Sequence, residues 1–165
     1  MTVSVQPGTS AGNKISVGMG QVAVGKAGDL LCSVLGSCVG VALWHPRLKV
    51  GALAHVVLAD SQGKTGTPGK FADTAVAHMV GELEKQGAMR TSLVAKIAGG
   101  SCMFRSSGPL QIGDDNIKAV REHLKRHNIR IAAEDTGGNS GRRITLDCAT
   151  GSVSVEVAGK VTKTL

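Results

Sequence analysis

Aromatic residues are almost missing from this sequence, which has one tryptophan, two phenylalanines and no tyrosine among 165 residues. Proteins that bind single-stranded nucleic acid stack bases on aromatic side chains, so the usual stacking platform is absent. The net charge of +7 would otherwise suggest such a partner, yet no run of basic residues is longer than two. We therefore expect no nucleic-acid partner, and an acidic protein surface fits the positive charge equally well.

Long apolar runs and paired cysteines are also lacking. No stretch reaches the roughly 18 apolar residues that a membrane span needs, and the segment Met1–Lys14 has no apolar core typical of a signal peptide. The four cysteines, at positions 32, 38, 102 and 148, show no C-x-x-C spacing. We expect a cytoplasmic protein with reduced thiols, no membrane insertion and no structural zinc site.

The apolar residues that are present alternate with two different periods. Period two predicts strands, and period 3.6 predicts amphipathic helices over Asp73–Gln86 and Asp114–His127. The predicted strands lie at Ile15–Met19, Val22–Val24, Leu30–Leu35, Val39–Trp44, Val50–Asp60, Leu93–Ala98, Ile129–Ala133, Arg143–Cys148 and Ser152–Val157. We predict a flexible tail at residues 1–13, followed by a single α+β domain at residues 14–165.

One short stretch, VLGSCVGVALWHP at Val34–Pro46, places Cys38 directly after a Gly-Ser turn. A free cysteine is most often a small buried hydrophobic residue. At the mouth of a glycine turn, however, backbone N–H groups could be directed at a developing oxyanion. A neighbouring imidazolium would also lower the pKa of the thiol and generate the attacking thiolate.

A histidine within reach of Cys38 follows from treating the strands around HPRLK as a hairpin. With the turn near Arg47, paired residue numbers sum to about 94, give or take one, which places Cys38 opposite His55 or its neighbour. His45 lies at the hairpin tip, about 23 Å along the strand from the thiol. The alternative is that His55 is an ordinary core histidine and Cys38 ordinary packing.

Other segments favour structural or surface roles. The glycine clusters Ala98–Ser101 and Asp135–Asn139 do not fit a nucleotide-binding pattern, so we predict tight turns. Cys102 is predicted to be packed. A basic set is predicted to form a solvated helix face, with electrostatic attraction to a Glu/Gln-rich partner surface as its alternative use: Lys118, Arg121, Lys125, Arg126 and Arg130.

Six segments between about Leu35 and Gly151 together resemble the CheD family, the bacterial chemoreceptor glutamine deamidases. They are LGSCVGVALWHP, GALAHVVLADS, KFADTAV, AKIAGGSCMF, IGDDNIKAVREHL and AEDTGGNSGRR, in the order typical of the family. The resemblance implies hydrolysis of glutamine carboxamides of methyl-accepting chemotaxis receptors to glutamate, with release of ammonia and without metal or cofactor. It implies a mixed β-sheet core flanked by helices, similar to the toxin-type cysteine deamidases.

The resemblance also implies a nucleophile at Cys38 and a catalytic histidine at His55. A threonine six residues before the cysteine is the third member in the family, but this chain has Cys32 there and Ser33 beside it. Strand alternation lets only one of the two face His55, and we predict Ser33, with Cys32 as the alternative. A receptor-binding or phosphatase-binding adaptor with little turnover is the second functional hypothesis, the phosphatase being of the CheC type.

Overall fold

The computed structural model describes residues 12–102 and 111–165, which form two five-stranded sheets and two α-helices. The strands are β1 (Lys14–Ser16), β2 (Val22–Lys26), β3 (Leu30–Leu35), β4 (Val39–His45), β5 (Val50–Val56), β6 (Val94–Gly99), β7 (Arg130–Thr136), β8 (Arg142–Asp147), β9 (Val153–Val157) and β10 (Lys160–Thr164). The helices are α1 (Ala72–Lys85) and α2 (Ile112–Arg126), and a short 3₁₀ turn spans Arg90–Ser92.

Both sheets are mixed. The outer sheet has the strand order β1-β3-β8-β9-β10, and the central sheet has the order β2-β5-β4-β6-β7. The pairs β1–β3 and β6–β7 are parallel, and the remaining neighbours are antiparallel. The predicted α+β class is confirmed, with the sheet core divided between two sheets.

The layers are stacked in the order helices, central sheet, outer sheet. Valines and alanines on one face of β4 and β5 pack against α1 and α2. The opposite face of the central sheet packs against leucines and isoleucines of the outer sheet. Gly40 shows how closely the sheets approach, since a Cβ there would lie 2.4 Å from Ile144 Cδ1. Small residues on one sheet and branched aliphatic residues on the other fill a core that has few aromatic rings.

Each helix buries one apolar face, as its period predicts. The buried residues of α1 are Ala72, Ala75, Val76, Met79, Val80 and Leu83, and those of α2 are Gly113, Asn116, Ile117, Val120 and Leu124. Helix α1 stops before Gly87, whose φ of 90° takes the left-handed conformation common after helix ends. Asn116 is the polar residue on the buried face of α2, and its partners lie beside the candidate site.

Several predicted boundaries need correction. Strand β5 ends at Val56 instead of Asp60, because Val57 and Leu58 leave the ladder and donate their N–H groups to Lys70 O. Strand β10 is not predicted, since all five of its residues are exposed and carry no apolar alternation. The predicted tail lies outside the described residues except for Gly12 and Asn13. Neither helix in the described ranges is long and apolar enough to cross a membrane.

Candidate functional site

The turn Gly36–Cys38 carries the chain from β3 of the outer sheet to β4 of the central sheet. Its carbonyl oxygens are all held: those of Gly36, Ser37 and Cys38 accept from Ser101 N at 3.0 Å, Asn116 Nδ2 at 3.1 Å and Gly100 N at 2.8 Å. Its three backbone N–H groups donate no hydrogen bond within the described part of the chain. The turn therefore directs its acceptors into the protein and keeps three donors available for an anion.

His55 lies on the same face of the β4–β5 hairpin as Cys38. Gly40 pairs directly with His55, one position beyond the centre of the predicted register and within its stated range. Cys38 precedes Gly40 by two residues and lies just outside the last pair, Val39 with Val56, so it is a diagonal neighbour of His55 and does not stand directly opposite it. Because Gly40 has no side chain, nothing on β4 stands directly opposite the imidazole.

Ser33 on β3 reaches His55 from the outer sheet. The Ser33 Oγ lies 2.8 Å from His55 Nδ1 and 2.7 Å from Val17 O. A carbonyl oxygen can only accept, so the single hydroxyl proton of Ser33 is donated to Val17 O. The hydroxyl oxygen then accepts from Nδ1–H of His55, which also lies 3.3 Å from Val17 O. This arrangement assigns the proton to Nδ1 and leaves Nε2 with a free lone pair.

Cys32 occupies the opposite face of β3. Its thiol lies 3.7 Å from Ser16 Oγ and makes no hydrogen bond to His55 within the described residues, although Cys32 lines the same cleft as His55. The alternation of side chains along β3 thus separates the two candidates for the third position. The predicted contact between Ser33 and His55 is present.

Burial shifts the pKa values of both reacting groups toward their neutral forms. It raises the pKa of the Cys38 thiol, whose residue is 8% exposed. It lowers the pKa of His55, and the backbone hydrogen bond to Val17 opposes that effect. Desolvation therefore opposes the lowering of the thiol pKa that a neighbouring imidazolium is expected to cause, because it penalises both charges. Burial thus favours a thiol and a neutral imidazole over the charged pair.

A cleft on the outer sheet reaches His55 and Ser33. Met19, Val34, Lys14 and Arg143 line it together with these two residues. Met19 is 71% exposed and Val34 is 63% exposed, so apolar surface lies beside the histidine. The side chains of Lys14 and Arg143 add two positive charges to this surface.

The other candidates lie apart from this arrangement. His45 ends β4, and its Nδ1 accepts from Leu48 N at 3.1 Å, which makes it part of the hairpin turn. Cys102 is exposed, so the prediction that it is packed is wrong. Burial, with Asp29 and Asp147 nearby, raises the pKa of the Cys148 thiol to about 12.

The glycine clusters match their structural prediction, and so does the basic set except for Arg130, which lies on β7 and not on a helix. Gly99, Gly100, Gly137 and Gly138 all have positive φ, as tight turns require. All five residues of the basic set are exposed, and two of them form ion pairs: Arg121 with Glu134 and Arg126 with Glu122. No group of three or more potential metal ligands is found in the described ranges.

Two groups at the site were not predicted from the sequence. Val17 contributes only its backbone carbonyl, for which a sequence carries no side-chain signal. Asn116 does carry one, because it is a polar residue at an apolar position of a helix.

A scan against protein families matches residues 57–157 to the family described as CheD chemotactic sensory transduction. This chain belongs to the CheD family. The chemoreceptor glutamine deamidase CheD of Thermotoga maritima is 49% identical over 144 residues, which cover 87% of this chain and 91% of that protein.

Two further CheD relatives carry the name probable chemoreceptor glutamine deamidase. The protein of Symbiobacterium thermophilum is 46% identical over 153 residues, covering 88% of this chain and 93% of its own length. The protein of Methanococcus vannielii is 42% identical over 149 residues, covering 89% of this chain and 97% of that protein. Among solved structures, the hypothetical protein YfiH of Bacillus licheniformis superposes with a TM-score of 0.45 at 17% identity, over 67% of this chain and 48% of that one.

Proposed function

We propose that this CheD family member is a chemoreceptor glutamine deamidase, which hydrolyses glutamine side-chain amides to glutamate and ammonia. The observation that carries the proposal is the hydrogen bond from His55 Nδ1–H to Ser33 Oγ. It leaves Nε2 as a free base on the face of the hairpin that also holds Cys38. The names of the relatives supply the substrate class, chemoreceptor glutamines.

Acylation begins with a neutral pair. His55 Nε2 takes the Cys38 thiol proton as the sulfur attacks the carbonyl carbon of the glutamine carboxamide. The carbonyl electrons move to oxygen, and the free N–H groups of the Gly36–Cys38 turn stabilise the oxyanion. The C–N bond then breaks, the nitrogen takes the proton from His55, and ammonia leaves behind a thioester.

Deacylation uses the same groups in reverse. Water gives a proton to His55 Nε2 as its oxygen attacks the thioester carbon. The second tetrahedral intermediate collapses, the C–S bond breaks, and the sulfur recovers its proton from His55. The products are a glutamate side chain and the free Cys38 thiol. Ser33 holds the imidazole in one tautomer and ring orientation throughout.

Receptor glutamines are the proposed substrate, and a CheC-type phosphatase is a second proposed partner that rests on the family resemblance alone. An adaptor role would need the same binding surface without turnover. Ammonia release during incubation with purified receptor separates the two roles, because an adaptor releases none above the background of a Cys38→Ala control.

The direct experiment is mass spectrometry of receptor peptides after incubation with the protein. Conversion of specific glutamines to glutamates is expected with the wild-type chain and not with Cys38→Ala. Receptor peptides that remain unmodified by folded wild-type protein would refute the deamidase function. Modification by Cys38→Ala would refute the assigned nucleophile alone.

A second pair of variants tests the base. His55→Ala should lower turnover by at least about 10²-fold, the low end for a positioned acid–base group. His45→Ala should remain near wild type, because that ring contacts its own hairpin turn. Equal losses from the two substitutions would contradict the assignment of His55.

A further inference from the structure

The amide of Asn116 is buried beneath the cysteine turn and is 1% exposed. It belongs to α2, 79 positions along the chain from Ser37. Its Nδ2 group donates to Ser37 O at 3.1 Å and to Val57 O at 2.9 Å. One of these residues precedes Cys38, and the other follows His55 by two positions. Asn116 therefore connects the two segments that carry the proposed nucleophile and base.

The hydrogen-bond ladder of the hairpin ends where this amide begins. The last backbone pair between β4 and β5 is Val39 with Val56. Beyond it Val57 turns its N–H toward Lys70 O, so the two strands no longer bond to each other. The Asn116 amide supplies donors at this open end, which keeps the distance between the strands fixed beside the site.

The start of α2 is seated directly on the neighbouring glycine turn. A Cβ on Gly113 would lie 2.5 Å from Gly100 O and 2.8 Å from Ser101 O, so only glycine permits this approach. Gly100 and Ser101 are the residues whose N–H groups hold the other two carbonyls of the cysteine turn. The start of α2 is thus held at a fixed distance from the glycine turn, and from this position the Asn116 side chain reaches Ser37.

Holding Ser37 O determines the direction of the next donor. A trans peptide is planar, and its C=O and N–H bonds point in opposite directions. The described residues contain no cis peptide, so the Cys38 N–H points away from Asn116. That N–H has no acceptor within the described chain. It is free to meet an oxyanion formed by attack of its own side chain.

We propose that Asn116 is a positioning residue that orients the Cys38 N–H toward the oxyanion of the tetrahedral intermediate. The proposal rests on the deamidase function and adds to it a residue that touches neither substrate nor thiol. Asn116 acts through Ser37 O, while its second bond, to Val57 O, keeps the end of the His55 strand in place.

The test compares Asn116→Ala and Asn116→Asp with Val120→Ala, a matched control one turn further along α2. Val120 is fully buried, so its truncation costs packing energy without removing a bond to the turn. The kcat of both Asn116 variants should fall about 10- to 100-fold, the scale for losing a supporting hydrogen bond. Their KM should stay within about threefold of wild type, since the loss lies in transition-state stabilisation.

The rate at which iodoacetamide alkylates Cys38 separates the proposed role from a purely structural one. A general disturbance of the turn would change this rate, whereas a redirected Cys38 N–H would not. This displacement forms no oxyanion, so its rate should stay within about threefold in the Asn116 variants. Deamidation and alkylation falling together would overturn the proposal, and so would a kcat equal to that of Val120→Ala. Inactive wild-type protein would instead refute the underlying deamidase function.

A measurement on the wild-type chain applies even where a variant fails to fold. A receptor peptide with an aldehyde in place of the carboxamide adds the Cys38 thiol and forms a tetrahedral thiohemiacetal. In protein labelled with ¹⁵N-cysteine, the Cys38 amide proton should move downfield as its N–H bonds the new oxygen. A resonance that does not move on formation of the adduct would overturn the proposed direction of that N–H.

Discussion

The hydroxyl of Ser33 has one proton and two lone pairs, and the bonds around it use both kinds of site. The proton goes to Val17 O, and a lone pair receives Nδ1–H of His55. Serine and threonine hydroxyls have the same donor and acceptor inventory, so a serine can take the orienting role that the family resemblance gives to a threonine. A thiol would make weaker bonds in both directions.

Removing this hydroxyl should slow the enzyme without unfolding it. Ser33→Ala should lower kcat/KM by about 10-fold or more, because the His55 ring loses the partner that fixes its tautomer. Steady-state ammonia release measures the change. Cys32→Ala is the matched control on the adjacent position, and it should leave the rate nearly unchanged because Cys32 contacts Ser16 instead. A silent Ser33→Ala combined with a slow Cys32→Ala would reassign the third position.

The pH dependence of kcat/KM should be that of an enzyme in which Cys38 and His55 are both uncharged before substrate is attacked. Burial lowers the pKa of His55, so kcat/KM should rise from acid pH with an apparent pKa below the ordinary value of about 6.5. The raised pKa of Cys38 places formation of the free thiolate above the ordinary range of a thiol. The rate should therefore be level between these limits.

A preformed thiolate–imidazolium pair would give a different profile. Its acid limb would lie near about pH 3–4, as in enzymes with a strongly depressed cysteine pKa. Measurement of kcat/KM over that range, with folding checked at each pH, distinguishes the two. An acid limb at such low pH would contradict the neutral pair.

The end of β6 packs directly against the backbone of the cysteine turn, Gly36–Cys38. Gly99 has a φ of 104°, and a Cβ there would lie 2.4 Å from Cys38 O. Gly100 follows with its N–H bonded to that same oxygen. Two consecutive glycines allow the strand to bend under the turn while touching its backbone.

A methyl group at Gly99 should damage both stability and activity. Gly137→Ala is the matched control, because Gly137 has a φ of 83° and open space around it. The Gly137→Ala control should lower the free energy of unfolding only by the strain of a left-handed alanine, about 1–2 kcal/mol. Gly99→Ala should cost at least about 1 kcal/mol more, since overpacking against backbone adds to the strain.

Urea unfolding gives the two free energies, and ammonia release gives the activities. Turnover should fall in Gly99→Ala under conditions where it remains folded, and it should persist in Gly137→Ala. Equal stability losses in the two variants would mean that the Cys38 carbonyl moves aside without cost.

At the scale of the whole molecule, part of the positive charge lies in the cleft of the outer sheet. The net charge is +7, and Lys14 and Arg143 line the cleft that reaches His55. Helix α2, with most of the basic set, packs on the other side of the central sheet. The cationic side chains of the cleft and those of α2 thus lie on opposite sides of the central sheet, and the cleft is the one that adjoins His55.

The cleft charges should govern receptor association. If the receptor surface is acidic, KM should rise with salt while kcat stays constant, because screening weakens steering between exposed charges. The double substitution of Lys14 and Arg143 by glutamine should flatten this salt dependence. Lys118→Gln, on exposed α2 surface, should leave it unchanged. A KM independent of ionic strength would exclude electrostatic recognition through the cleft.

Local periodicity accounts for what the sequence predicts well. Both helices and the β4–β5 hairpin depend on residues close in the chain, so patterning and turn length place His55 on the face of Cys38. The contact between Ser33 and His55 spans two sheets. Alternation within β3 requires only that one of Cys32 and Ser33 face His55, and the stronger hydrogen bonding of a hydroxyl favours Ser33. The catalytic roles of these residues remain predictions.

Tertiary packing accounts for what the sequence does not predict. The bonds of Asn116 depend on where α2 lies over the sheet, and a polar residue in an apolar pattern does not identify its partners. The pKa directions depend on the depth of burial, which the alternation of residues along a strand does not reveal. Exposed β10 has no apolar alternation, since it adds to the edge of a sheet already covered on its inner face.

The bond between Ser33 and His55 links side chains that belong to different sheets. Its length therefore depends on the lateral position of one sheet over the other, which is set by aliphatic side chains in van der Waals contact. A slide of an ångström between the layers would leave every strand intact and still remove the support of the imidazole. Catalytic lifetime on heating should accordingly be limited by loosening of the intersheet layer, and activity should decline at temperatures where the backbone is still fully ordered.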